Sequence, residues 1–179
     1  MTDQFTDRVA RLDDLEALHR VMGRSIARLQ TGFLTPEQVA ASHKVMGLDS
    51  QLVRDGTYFL VEYGERIAGC GGWSFRATLY GGDESVIKRE PAIVDPASGA
   101  AKIRAMYTDP DFTRRGIGRR IIRLCEEAAR SAGYRRVELM ATAAGVPLYE
   151  SCGYQPKAKL QFARVDGVAV PLLQMEKVF

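Results

Sequence analysis

At 179 residues, with 46% hydrophobic and 26% charged residues, the chain is long enough to bury one core, and its composition excludes disorder and collagen-like or repeat architectures. A net charge of +3 is too small to imply nucleic-acid binding by itself. Three cysteines, Cys70, Cys125 and Cys152, form neither CxxC nor a Cys/His cluster with metal spacing, so a disulfide framework is not expected and a reducing compartment, the cytoplasm, is.

The N-terminal stretch MTDQFTDRVARLDD is polar and acidic, with no apolar core of a signal peptide. No run approaches about 18 apolar residues, so neither export nor membrane insertion is expected. After a short strand-like piece, Leu15, Leu18, Val21, Met22, Ile26 and Leu29 recur at helical spacing behind Asp13 as the expected N-cap. A second helix is predicted from Thr35, where Pro36 takes the first helical position and Gln38 completes a capping box.

From Thr57 to Phe75, TYFLVEY, a GER turn and IAGCGGWSF predict a hairpin of two buried strands. Gly69, Gly71 and Gly72 in the second of them imply either a bulge or a close approach by another element. Gly81-Gly82, Pro91, Pro96 and Gly99 predict a long loop over 81–99, which either carries specificity or is simply solvated.

A strand (AKIRAMYT), a loop (DPDFTRRG) and a helix (IGRRIIRLCEEAARSAG) follow, with Ile117, Ile121, Leu124, Cys125, Ala128 and Ala132 on one helical face and Gly133 as the C-terminal stop. RRVELMAT predicts a further strand, GVPLYESC a short helix with Pro147 in its first turn, and the remainder a terminal pair of strands. The order is βααββ, then strand, loop, helix, strand, helix, strand, strand, an α/β arrangement within a single domain over residues 1–179.

The segment TRRGIGRR, Thr113 to Arg120, joins two glycines to a cluster of arginines at a helix start. Bare amides there, with the helix dipole behind them, suit an anion, and glycines admit a phosphate closely. Taken alone, the segment is also open to a plain turn before a solvated basic helix face. A dinucleotide fingerprint is opposed by Ile121 in place of the third glycine and by the seven residues from Asp109 to Arg115, too many for the tight strand-to-helix turn. No Gly-Lys-Ser/Thr follows, which opposes a triphosphatase loop.

IRAMYTDPDFTRRGIGRRII resembles the acyl-CoA-binding motif of the GNAT superfamily of acyl-CoA N-acyltransferases, and VPLYESCGY resembles the second signature of the same family. The two occur in the family's order, separated by a helix and a strand, and the element order agrees across nearly the whole chain. The resemblance implies a GNAT-like fold, a mixed, mostly antiparallel sheet whose fourth and fifth strands splay apart, flanked by helices, with acetyl-CoA as co-substrate in the wedge and no metal. It implies that Met106, Tyr107 and Thr108 offer backbone groups to the pantetheine arm and acyl carbonyl. Arg114, Arg115, Gly116, Ile117, Gly118 and Arg119 would wrap the pyrophosphate, mainly through amides.

Tyr149 matches the family's general acid, a phenol that stays protonated at neutral pH; a core tyrosine is the alternative. An amide near Tyr107 or Thr108 would hold the oxyanion. Three positions depart from the family: Thr113 in place of Gln or Arg, Gly145 in place of alanine, and Thr142 in place of an amide side chain.

No general base is identified. Lys102 stands where some members carry glutamate, and Glu62, Asp109 and Glu138 are more readily salt-bridging carboxylates. His19 and His43 lie outside both signatures. Trp73, Phe75 and Arg76 are expected either to line the acceptor pocket or to pack in the core. The implied reaction is acetyl transfer to the primary amine of a small molecule, with a peptide or protein amine, or a non-catalytic acyl-CoA-binding module, as alternatives. Neither a nucleic-acid nor a membrane partner is expected, and a homodimer is left open.

Overall fold

The computed structural model describes residues 4–179, so the first three residues of the polar N-terminal stretch lie outside it. The strands are β1 (Phe5–Val9), β2 (Tyr58–Tyr63), β3 (Arg66–Ser74), β4 (Ala101–Thr108), β5 (Arg136–Thr142), β6 (Gln155–Pro156), β7 (Gln161–Val165) and β8 (Val168–Val178). The helices are α1 (Leu15–Leu29), α2 (Pro36–Val45), α3 (Ser50–Arg54), α4 (Ile117–Ser131) and α5 (Val146–Ser151). The strands form one sheet in the order β1-β2-β3-β4-β5-β8-β6, with β7 also paired to β8. Every pairing is antiparallel except β4 with β5.

That parallel pairing is short. Only Ala101 with Val137 and Lys102 with Glu138 are in register, and beyond them the strands diverge. One face of the sheet packs on α4 through Ile117, Ile121, Ile122, Cys125 and Ala129, and the opposite face packs on α1 through Leu18, Val21, Met22 and Ile26. A third cluster seats α2 on β7 and β8 through Ala41, Val45, Ala163 and Leu172.

The α2 capping box forms as expected: Thr35 Oγ1 accepts from the Gln38 amide at 3.2 Å and Gln38 Oε1 accepts from the Thr35 amide at 3.0 Å. The α1 cap is displaced. A 3-10 turn at 12–14 precedes the helix, Asp14 rather than Asp13 is the N-cap, and the Asp14 carboxylate is drawn instead to Arg8 and the Arg11 amide. On α4 the buried face is turned from the expected one: Ile122 and Ala129 are inside, Leu124 and Ala128 are half-buried, and Ala132 lies beyond the last helical turn and is exposed.

Both explanations of the glycine-rich β3 hold. A side chain at Gly71 would stand 2.3 Å from Met106 Sδ and one at Gly69 2.4 Å from Ile117 Cγ2, so β4 and α4 press against bare backbone. The register also shifts between Cys70 and Gly72, where Ala105 and Met106 on β4 oppose the single residue Gly71. Ala105 takes a left-handed φ of 51°, the geometry of a bulge. α3 and β6, five and two residues long, carry too little periodicity to be read from the sequence. No helix among the described residues is long and apolar enough to cross a membrane.

Candidate active site

The divergence of β4 and β5 opens a cavity of about 250 Å³. Its walls are β4 from Ile103 to Thr108, Met140 and Thr142 at the end of β5, and Gly145, Leu148 and Tyr149 around α5. Gly118 closes it on the α4 side. The end of α1 and the residues after it (Leu29, Gln30, Phe33), the α2–α3 connection (Met46, Gly47) and the loop at Leu79 to Gly81 cover it.

The bulge decides what β4 presents. Strict alternation would put Arg104 and Tyr107, three residues apart, on opposite faces. The extra residue restores them to one face, and both line the cavity. Tyr58, fully buried, donates from its hydroxyl to Ala105 O at 2.6 Å and pins the bulged backbone. Burial raises the Tyr58 phenol well above its ordinary value, so it remains a donor. Past the bulge, Asp109 N donates to Ala68 O on β3, so by alternation the amides and carbonyls of Thr108 and Met106 face the open wedge while those of Tyr107 face β3. Tyr107 therefore reaches the cavity with its ring, whose hydroxyl accepts from Gly47 N at 2.9 Å.

At the mouth, Arg114 and Gly116 have left-handed φ values of 63° and 78°, and Gly116 is the N-cap of α4. A left-handed cap is where glycine is favoured, and a Cβ added at Gly116 would meet nothing within 4 Å. Arg120 is the first α4 amide with a backbone acceptor, Gly116 O at 3.0 Å, which leaves the Ile117, Gly118 and Arg119 amides as first-turn donors. Arg114 and Arg115 are exposed. The Arg119 guanidinium is latched to α5, donating to Ser151 O at 3.2 Å and Ser151 Oγ at 3.0 Å, and the Ile117 side chain is core. Packing favours a bare Gly118: a Cβ there would lie 2.6 Å from Leu148 Cδ2.

The structure thus brings Met106, Thr108, Gly118 and Tyr149 to one cavity and places Arg114, Arg115 and Gly116 beside the α4 start. Tyr149 is 8% exposed, and burial pushes its phenol well above the usual range. Gly145 suits it, since a side chain there would stand 2.9 Å from Tyr149 Cε2. Thr142 Oγ1 accepts from the Gly145 amide at 3.3 Å.

The carboxylates weighed as bases are all engaged. Glu62 pairs with Arg8 at 2.8 Å, Asp109 with Arg24 at 3.3 Å, and Glu138 with Lys102 and, at 2.6 Å, Lys157. Burial would raise the Glu138 carboxyl, but the hydrogen bonds and charges of Lys102 and Lys157 outweigh it and hold the group below its ordinary value. Trp73 is core, edge-on to Phe75 and Tyr134 at 6.0 Å each, and Arg76 pairs with Asp55 at 2.7 Å; none of Trp73, Phe75 and Arg76 lines the cavity. His19 and His43 are exposed and border a second cleft of about 140 Å³, which shares Ile26, Met46 and Gly47 with the first.

Arg104 and Gln30 were not singled out by sequence motifs. Arg104 is 4% exposed; its guanidinium pairs with Asp49 Oδ2 and donates to Gly81 O, each at 2.6 Å. The one available signal was an arginine inside an otherwise buried strand segment.

A mixed sheet whose single parallel pair diverges over a cavity, with a long helix opening at its mouth, is the architecture of the acyl-CoA N-acyltransferases. The model of the acetyltransferase (GNAT) family matches residues 25–154, and the chain belongs to that family. Solved structures share the fold. A GCN5-related N-acetyltransferase from Rhodopseudomonas palustris, 16% identical, matches with a TM-score of 0.69 over 100% of this chain and 99% of its own. The PaiA N-acetyltransferase of Thermoplasma acidophilum, in complex with coenzyme A, is 14% identical with a TM-score of 0.63 over 98% and 99%. YncA of Salmonella typhimurium, described as a putative acetyltransferase with its cofactor acetyl-CoA, is 15% identical with a TM-score of 0.63 over 97% and 93%. No curated protein matches the sequence significantly.

Proposed function

We propose that residues 1–179 act as one N-acetyltransferase domain that moves an acetyl group from acetyl-CoA to the primary amine of a small molecule, by direct attack while both are bound. The carrying observation is the convergence of Tyr149, the wedge-facing backbone of Met106 and Thr108, and Gly118 on one covered cavity. The cover formed by Phe33, Met46 and Tyr80 favours a small acceptor over a peptide, which needs an open groove.

Arg114, Arg115 and the amides from Gly116 to Arg119 are assigned to the pyrophosphate, where first-turn donors and the helix dipole hold negative charge. Acetyl-CoA supplies an activated acyl carbon and a thiol leaving group. The Thr108 amide is assigned to the oxyanion and the wedge-facing Met106 backbone to the pantetheine arm, and Tyr149 gives its phenolic proton to the departing sulfur. Free-thiol release on an amine panel tests the reading: turnover that falls in Tyr149→Phe supports it. Acetyl-CoA binding without turnover on any amine assigns the chain to a non-catalytic binding module instead.

A further inference from the structure

Two residues that line the cavity each carry a polar atom buried without a hydrogen-bond partner, Gln30 Oε1 and Arg104 Nε. Gln30 is 5% exposed and Arg104 4%. An orphaned buried donor or acceptor is destabilising, and a ligand that supplies the missing partner recovers that loss. One atom accepts and the other donates, which matches a group such as an amide.

The charge around Arg104 is already balanced. Asp49 meets Arg104 at 2.6 Å and Arg89 at 3.3 Å, and Asp83 meets Arg89 at 2.5 Å, so two cations face two carboxylates. A substrate carboxylate would add uncompensated charge there, whereas a neutral oxygen would not.

The rest of the lining is uncharged, apolar side chains with a few hydroxyls, and among the described residues it includes no carboxylate and no imidazole. Its titratable members are Arg104, Tyr80, Tyr107 and Tyr149. Burial raises all three phenols, so they remain protonated and accept no proton from an ammonium group. An alkylamine with a pKa of about 10 is all but about one part in a thousand protonated near neutral pH. The cavity offers such a cation neither a counter-charge nor a base.

Resting on the acetyltransferase reading above, we propose that the acceptor is an apolar, weakly basic amine, of the aryl amine or acyl hydrazide class, that enters uncharged. Gln30 and Arg104 read one neutral polar group on it. The amine lone pair forms the C–N bond and the C–S bond breaks. The Tyr149 proton goes to sulfur and the amine proton returns to the phenolate. A neutral amine then yields amide and free thiol with no net proton released, whereas an ammonium substrate would release one per turnover.

The test compares benzhydrazide, 1-benzoyl-1-methylhydrazine, benzylamine and spermidine with the full chain and acetyl-CoA, following thiol release from pH 6 to 9. Benzhydrazide is expected to show a flat kcat/KM, at least tenfold above that of benzylamine at pH 7, while benzylamine rises about tenfold per pH unit with its neutral fraction. Gln30→Leu, which removes the acceptor for the hydrazide N–H, is expected to raise KM for benzhydrazide about tenfold, with kcat kept, and to leave 1-benzoyl-1-methylhydrazine, which keeps the carbonyl and lacks that N–H, unaffected.

Benzylamine or spermidine acetylated as well as benzhydrazide at pH 7 overturns this inference and leaves the acetyltransferase reading standing. So does an equal loss on both hydrazides in a Gln30→Leu protein that still gains heat stability from acetyl-CoA. Failure with every amine while acetyl-CoA binds overturns both readings.

Discussion

Arg104 and Tyr107, three residues apart on β4, face one cavity because Ala105, with a φ of 51°, gives the strand one extra residue against Gly71. The left-handed conformation is tolerable for alanine and severe for a β-branched residue. Ala105→Val is therefore expected to lose about 2 kcal/mol of stability and Ala105→Gly to stay within about 1 kcal/mol of the parent. Urea unfolding of the two variants checks this; similar losses in both would mean that backbone strain at the bulge is not what valine meets.

Tyr149→Phe removes a proton donor while keeping the ring beside Tyr154, whose centroid is 5.8 Å away. The expected result is a loss of about 100-fold in kcat with the acetyl-CoA-induced rise in Tm retained. Because burial holds the phenol well above its ordinary value of 10.0, the parent's kcat should show no alkaline fall from this group up to pH 9. Steady-state rates across pH 6–9 separate this from a packing role, in which Tm would drop and kcat would not.

Arg114 and Arg115 are exposed at the α4 start, and the Arg115 guanidinium lies 5.6 Å from the centre of the Phe112 ring. Arg114→Ala/Arg115→Ala should leave the urea midpoint unchanged and weaken acetyl-CoA about tenfold. The parent's affinity should fall more steeply with salt than the variant's. Calorimetric titration at two salt concentrations reads both effects, and an unchanged affinity would remove these arginines from the cofactor site.

What was legible in the sequence was whatever local chemistry determines. Thr35, Pro36 and Gln38 cap α2 through contacts within four residues, and Gly133, with a φ of 92°, stops α4 as a left-handed residue must. The wedge was legible only through family resemblance, because the two-residue pairing of β4 with β5 is a long-range property. The roles of Arg104 and Gln30 were not legible. Both acquire meaning from segments far away in the chain, Asp49 and Gly81 for Arg104 and the β4–β5 opening for Gln30.

Glu138 sits between Lys102 and Lys157, and its carboxyl is held below the ordinary value of 4.5. A depressed folded-state pKa contributes stability above pH 4.5 that is lost as pH falls through the folded-state value. Glu138→Gln leaves Lys102, 7% exposed, without its counter-charge and is expected to cost about 3 kcal/mol at pH 7. Chemical unfolding at several pH values should show the gap between parent and variant narrowing below pH 4.5. A gap independent of pH would mean that packing, not charge, sets the loss.

Gly118 was expected to be bare so that a phosphate could approach, yet a Cβ there would first meet Leu148 Cδ2, at 2.6 Å. The two explanations separate in a double-mutant cycle. Gly118→Ala alone should lose about 1 kcal/mol through overpacking of α4 on α5. Adding Leu148→Ala removes the obstructing methyl, so the pair should be less destabilised than the sum of the singles by about 1 kcal/mol. Additive stabilities, with acetyl-CoA affinity lost in Gly118→Ala alone and not recovered in the pair, would return this glycine to the phosphate. Favourable coupling in stability would leave Gly116, whose added Cβ meets nothing within 4 Å, as the glycine that keeps the helix mouth open.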